Sequence, residues 1–343
     1  MPKFNISNNF NDGVRDMEPR YNDHVPTTIK RMHFNEMIKP ILSKKVLLKN
    51  IGEDLNFYPD YKYEKLEQVA SRHYKINANE IVCTNGSDEG IDLCIRSFCN
   101  PKDIICVVKP GFVSYNEYAC GFLCKVETFN LQQNKNNWSL DIDGFIQFVK
   151  EKQAKIVFLS NPLAHIGKLI SEKDIEKIVK SLPKVMVIID EAYIEFTDAK
   201  SVISIFNKYN NLTILRTVSK FFGLAGIRLG FIITHFKDYI FKVKGIDNVN
   251  KMTCQVGINL FSRLKPKHIA KRKKYILQRK KKIIEWLSQF DEIEKLYESC
   301  TNFIYIKTKC NSEKFAEKLI KDYKIKIRAF GGDFKNYCRI SIL

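Results

Sequence analysis

The chain has 343 residues and a formal net charge of +19, with 45% hydrophobic and 28% charged residues. That composition is ordinary for a globular protein and excludes disorder as its main character, while the length suits one large domain with a smaller partner. No apolar run approaches the ~18–20 residues of a membrane helix, and the polar, Asn-rich start lacks the apolar stretch of a secretory signal, so a soluble protein with no membrane role is expected.

Residues 1–45 are polar and irregular, with Pro19, Pro26 and Pro40 scattered among them, and read as an arm. A regular rhythm then begins: a helix over 65–74, a strand over 80–84, the turn Gly86-Ser87-Asp88-Glu89, a helix over 91–98 and a strand over 104–108 leading to Pro110. A further segment at 124–129 precedes three buried-strand patterns at 156–159, 185–189 and 213–215, separated by helices over 172–181 and 201–209; another strand is expected at 227–233. β-branched runs alternating with helices indicate βαβ units: an α/β fold with a mostly parallel sheet and helices on both faces.

Beyond Met252 the pattern changes to long helices, then a strand (303–306), a helix (312–323) and two short strands (326–329 and 338–342), a smaller α+β domain. The expected division is an arm (1–45) joining the small domain, a large domain (46–250) and a small domain (251–343).

Ten cysteines and six histidines are scattered without a C-x-x-C pair or Cys/His cluster, so no metal site is drawn and reduced thiols in the cytoplasm are expected. Much of the positive charge sits in 265–282, with ten Lys/Arg and no acid. Ile269, Ile276 and Ile283, joined by Leu277 and Ile284, give that segment an amphipathic helical pattern with one buried stripe and one solvated basic face. Neither interleaved aromatics nor a reader motif accompanies it, so no nucleic-acid partner is expected.

Ligands of parallel α/β sheets bind at the carboxyl ends of the strands. Asp190 ends one apolar strand, and a carboxylate there needs a cation or good donors. Lys220 and Arg228 follow the next strand among glycines, and Gly86-Ser87-Asp88 opens a helix whose free N–H groups suit a phosphate. Each has a plain alternative: a helix cap, a salt bridge or a surface lysine. Together, the phosphate cradle, buried acid and lysine are what a protein needs to use pyridoxal phosphate.

At this point the chain resembles the fold-type I pyridoxal-phosphate enzymes, and among them the histidinol-phosphate aminotransferase family. The resemblance runs from Val14-Arg15-Asp16-Met17-Glu18-Pro19 and Phe57-Tyr58-Pro59 through Gly86-Ser87-Asp88-Glu89-Gly90 and Asp190-Glu191-Ala192-Tyr193-Ile194-Glu195-Phe196. It continues through Ser219-Lys220 and Leu224-Ala225-Gly226-Ile227-Arg228-Leu229-Gly230 to Cys338-Arg339-Ile340.

The resemblance implies that Lys220 carries the cofactor as a Schiff base and later moves the proton. It implies Asp190 as partner of the pyridine nitrogen, Tyr193 at the phenolic oxygen, and Phe112 stacked on the ring. Ser87, Asp88, Ser219 and Arg228 would hold the phosphate, and Tyr58 would reach the phosphate of a neighbouring subunit in a homodimer with shared sites. Arg339 and Arg328 would take the anionic group of the substrate. Asn35-Glu36 lies where the family's arm has a similar pair and is given no role.

One departure stands out. The family's Asn-Pro-x-Asn-Pro-Thr-Gly is here Asn161-Pro162-Leu163-Ala164-His165-Ile166-Gly167, so Ala164 replaces an asparagine that donates to the cofactor's phenolic oxygen. The expected activity is transfer of an amino group between a small anionic amine or amino acid, of the histidinol-phosphate kind, and a 2-oxo acid such as 2-oxoglutarate. A phospho-amino-acid decarboxylase and a non-catalytic binding protein of the same fold remain the alternatives.

Overall fold

The structure, a computed structural model, describes residues 12–15, 17, 25–134 and 137–343. Asp16, Glu18 and Pro19 of the first motif lie outside the described residues. A seven-stranded sheet forms the centre, in the spatial order Ile81–Thr84, Gly230–Ile233, Leu212–Thr217, Met186–Asp190, Ile156–Ser160, Ile104–Lys109, Lys125–Asn130. Strands 104–109, 125–130, 156–160, 186–190 and 212–217 pair in parallel, whereas Gly230–Ile233 runs antiparallel to both of its neighbours.

The central strands are apolar throughout because both faces are covered. Successive side chains alternate between two cores: Val157, Leu159, Val187, Ile189 and Ile214 enter one, and Ile156, Phe158, Ile188 and Leu215 the other. Helices begin where side chains cap them: Asp141 accepts from the Gly144 amide at 3.1 Å and Ser171 from the Asp174 amide at 3.1 Å. The helix expected over 201–209 shrinks to Ile203–Phe206, because the buried Glu191 carboxylate takes the Val202 amide and the Ser201 hydroxyl. The strand expected over 227–233 starts only at Gly230; Ala225–Ile227 is a 3-10 turn, and Arg228 is left-handed, with φ 52°.

A four-stranded sheet, ordered Ile293–Tyr297, Phe303–Thr308, Tyr337–Ser341, Arg328–Ala329, makes the smaller unit; sequence reading missed its first strand. One face packs on helices Pro266–Leu287 and Ser312–Tyr323 through Ile276, Ile283, Leu287, Ile304, Phe315 and Ile340. The other face presents Tyr297, Tyr305 and Tyr337 to Trp138 of the larger unit.

The arm joins this unit: Lys30–Arg31 pairs in parallel with Ile325–Lys326, and Met32 and Met37 enter its core. Two expectations need correction. Helix Lys251–Arg263 packs Val256, Leu260 and Phe261 into the larger core, so a boundary at 250/251 falls one helix too early. On the basic helix, Leu277 (58% exposed) and Ile284 (38%) face solvent, while Arg272 is buried and bonds the Lys39 carbonyl. The buried row there advances by four, seven and four residues (272, 276, 283, 287), and 277 and 284 sit one position, about 100°, off it. Among the described residues no helix is long and apolar enough to cross a membrane.

Candidate active site

At the carboxyl ends of the parallel strands, between the two units, lies a cavity of about 500 Å³. Ser87, Asp88, Phe112, Asp190, Tyr193, Ser219, Lys220, Arg228, Arg328 and Arg339 all line it. Tyr58 does not; it is 85% exposed on its own chain.

The floor is Asp190, whose strand ends there. Burial pushes its carboxyl up to about 6, against the opposing pull of a 2.8 Å hydrogen bond from the Tyr115 hydroxyl and a 3.0 Å bond from the Ala192 amide. Tyr115, itself fully buried and stacked on Phe158 at 4.9 Å, is a site residue that sequence reading missed. Its only signal was a tyrosine three positions after Phe112 at a helix start, which does not separate a core residue from a functional one.

At one end, the N-terminus of helix Gly86–Phe98 meets Arg228, with no side chain capping its first amides. Arg228 bonds Asp88 Oδ2 at 2.9 Å and approaches the Ser219 hydroxyl at 3.4 Å. Glycine is required here: a Cβ on Gly86 would stand 2.4 Å from the Arg228 guanidinium, and one on Gly230 would meet the Ser87 amide nitrogen at 2.5 Å. Free helix N–H groups, a hydroxyl and a guanidinium make this end an anion cradle.

Comparison with known proteins agrees with this geometry. The family model for aminotransferase class I and II matches residues 32–342. The chain belongs to that family. The histidinol-phosphate aminotransferase of Clostridium kluyveri is 36% identical over 301 residues, covering 87% of this chain and 83% of that one. That of Francisella philomiragia is 35% identical, covering 84% and 80%. The crystal structure of the histidinol-phosphate aminotransferase from Clostridium acetobutylicum superposes with a TM-score of 0.81 at 27% identity, covering 92% of this chain and 94% of that one. The enzyme is thus an aminotransferase with the fold-type I architecture.

In this aminotransferase the arm supplies what sequence reading left without a role. The Phe34 carbonyl accepts from Lys220 Nζ at 2.9 Å, and the Asn35 side-chain amide donates to the Tyr193 hydroxyl at 2.9 Å. The His33 carbonyl accepts from Arg339 at 3.3 Å. Asn35 is fully buried with φ 55°, and its own backbone and side chain are held by Ser341 and Asn302. Behind Asp190, buried Arg216 joins Glu191 at 2.5 Å and Glu195 at 2.6 Å, fixing the 190–196 segment.

Arg328 and Arg339, expected from the resemblance to take the anionic group of the substrate, line the same cavity. Arg339 also donates to the Ala164 carbonyl at 3.2 Å, and its Nε is buried with no partner among the described residues.

Proposed function

We propose that this enzyme moves an amino group between a small phosphorylated amine of the histidinol-phosphate kind and a 2-oxo acid such as 2-oxoglutarate, with pyridoxal phosphate as cofactor. The observation that carries this reading is the single cavity in which a primary amine (Lys220), a buried carboxylate (Asp190) and an anion cradle (Ser87, Asp88, Ser219, Arg228) face two arginines. The residues suit the cofactor: an acid for a ring nitrogen, a hydroxyl for a phenolic oxygen, a cradle for a phosphate. When bound, the cofactor supplies an electrophilic carbon for amines and a ring that accepts electrons.

The chain supplies the rest. Asp190 would meet the ring nitrogen and, ionised beside it, would keep positive charge there. The Tyr193 hydroxyl, already accepting from Asn35, has its proton free to point at the phenolic oxygen. Phe112 gives an apolar face, and a phenyl ring stacks as a tyrosine would. Lys220 moves a proton at its Nζ, with the Phe34 carbonyl as its resting partner. Arg339 and Arg328 bind the anionic end of the substrate and fix which bonds stand over the ring. Tyr58, exposed on its own chain, fits a homodimer in which it completes the partner's phosphate site. All ten cysteines are free, which suits a reducing cytoplasm.

The test is a single-turnover spectrum of the cofactor-loaded protein with histidinol phosphate, phosphoserine or glutamate, monitoring carbon dioxide. Conversion to the aminated cofactor, reversed by 2-oxoglutarate and lost in Lys220→Ala, is the expected result. Release of carbon dioxide without that conversion would replace transfer by decarboxylation.

A further inference from the structure

The departure at 161–167 is where this chain differs from the family pattern, and its side chains fall in an informative place. Ala164, buried at the cavity wall, brings no donor. His165 lines the same cavity and the adjoining groove with Arg328, and its ring lies 4.8 Å from that of Phe330, tilted by 41°. Neither ring nitrogen is hydrogen-bonded to a described residue, so its polar edge is available to a ligand. The carbonyl just before it, that of Ala164, helps to hold Arg339 at 3.2 Å. His165 therefore belongs to the arginine end of the cavity.

We propose that His165 is a specificity-determining residue: with Arg328 and Arg339 it forms a three-donor recess that selects a phosphate monoester over a carboxylate. The inference rests on the amino-transfer reading above and names what distinguishes its amino donor. A carboxylate has two oxygens in one plane, which a single guanidinium fork satisfies. A phosphate monoester presents three terminal oxygens in a tetrahedral array, and the third needs a donor from another direction.

The imidazole is suited to that position because it adds no charge. Burial, then Arg339 and Arg328, pushes its pKa down to about 3. A neutral imidazole still carries one N–H, and a third fixed cation beside two guanidiniums would repel them when no substrate is present. His33, whose carbonyl holds Arg339, is likewise held low, at about 4, by burial and by Lys326, Arg31, Arg328 and Arg339.

The experiment compares the loaded wild-type enzyme with His165→Phe, which keeps the ring against Phe330 but removes the N–H, and with His165→Gln, which restores a donor. Thermal melting confirms folding of each. In His165→Phe, KM for histidinol phosphate and phosphoserine should rise ~10–100-fold, the worth of one hydrogen bond to a charged group, with kcat little changed and KM for glutamate within about twofold. His165→Gln should recover most of the loss. Equal changes for all donors, or none, would overturn the proposal. So would weakened retention of pyridoxal phosphate by absorbance titration with donor KM values unchanged, which would assign His165 to the cofactor instead.

Calorimetric binding of ethyl phosphate and of propionate to the same loaded proteins needs no turnover. Selective weakening of ethyl phosphate supports the recess even if amino transfer itself fails, and equal binding of both ligands across the variants refutes it.

Discussion

The Tyr115 hydroxyl donates to Asp190 Oδ2 at 2.8 Å with both residues buried, so the acid on the cavity floor is held by a side chain from the helix Ser114–Gly121. That bond lowers the cost of keeping Asp190 ionised. Tyr115→Phe should leave Asp190 protonated more of the time and weaken pyridoxal phosphate binding ~10-fold or more at neutral pH, as for one lost bond to a charged group. An unchanged dissociation constant by absorbance titration would remove Tyr115 from the site.

The pH dependence of stability follows from the same acid. Burial raises its pKa from 3.8 to about 6, so between those values the folded, cofactor-free protein holds a proton that the unfolded chain has lost. Asp190 therefore contributes stability that is complete below about pH 4 and is lost as pH rises through about 6, roughly 3 kcal/mol in all. Urea melts of the cofactor-free wild type and Asp190→Asn should diverge in slope over that window and run parallel above it. Adding pyridoxal phosphate should stabilise the wild type more at pH 7.5 than at pH 5.

Asn35 and Tyr193 give a spectroscopic prediction. Asn35→Asp retains the side-chain shape and tolerates the left-handed backbone, but it loses the N–H that now meets the Tyr193 hydroxyl at 2.9 Å. With that hydroxyl less firmly aimed and a carboxylate nearby, the visible absorption band of the loaded protein should titrate at higher pH. A titration midpoint identical to wild type would show that Asn35 serves only the fold.

Arg216 provides a purely structural control. Arg216→Met removes the shared cation from two buried carboxylates, Glu191 and Glu195, and should cost ~3–5 kcal/mol in urea melts while leaving no new residue in the cavity. A loss under 1 kcal/mol would mean that both acids take up protons and repack cheaply.

How much of this was legible beforehand differs by element. The buried strands were plain, because runs such as Val187, Ile188 and Ile189 must be covered on both faces. Helices Glu172–Ser181 and Ser312–Tyr323 appear at the expected residues because Ser171 and Asn311 cap them. Strand direction was not legible: nothing in Gly230-Phe231-Ile232-Ile233 says that it runs against its neighbours. Strand Ile293–Tyr297 escaped notice because Glu294 and Lys295 interrupt its apolar pattern.

In the site, residues at strand ends and glycine turns could be found from position, whereas Tyr115, His33 and Asn35 could not. Their importance comes from contacts 75, 306 and 158 positions away along the chain. Local spacing carries no information about such contacts.

One short stretch of chain touches three side chains of the cavity. His33, Phe34 and Asn35 each grip a different working part, namely Arg339, Lys220 and Tyr193, while Lys30–Arg31 just upstream is stitched to the small sheet. A shift of the smaller unit would draw this strap like a drawstring, slackening or tightening three handholds in one movement. In the proposed reaction, substrate capture at Arg339 and release of Lys220 would then not be separate events to be coordinated by chance encounters. They are ganged on a tripeptide, and a one-residue insertion or deletion in 33–35 should unsettle binding and proton transfer together.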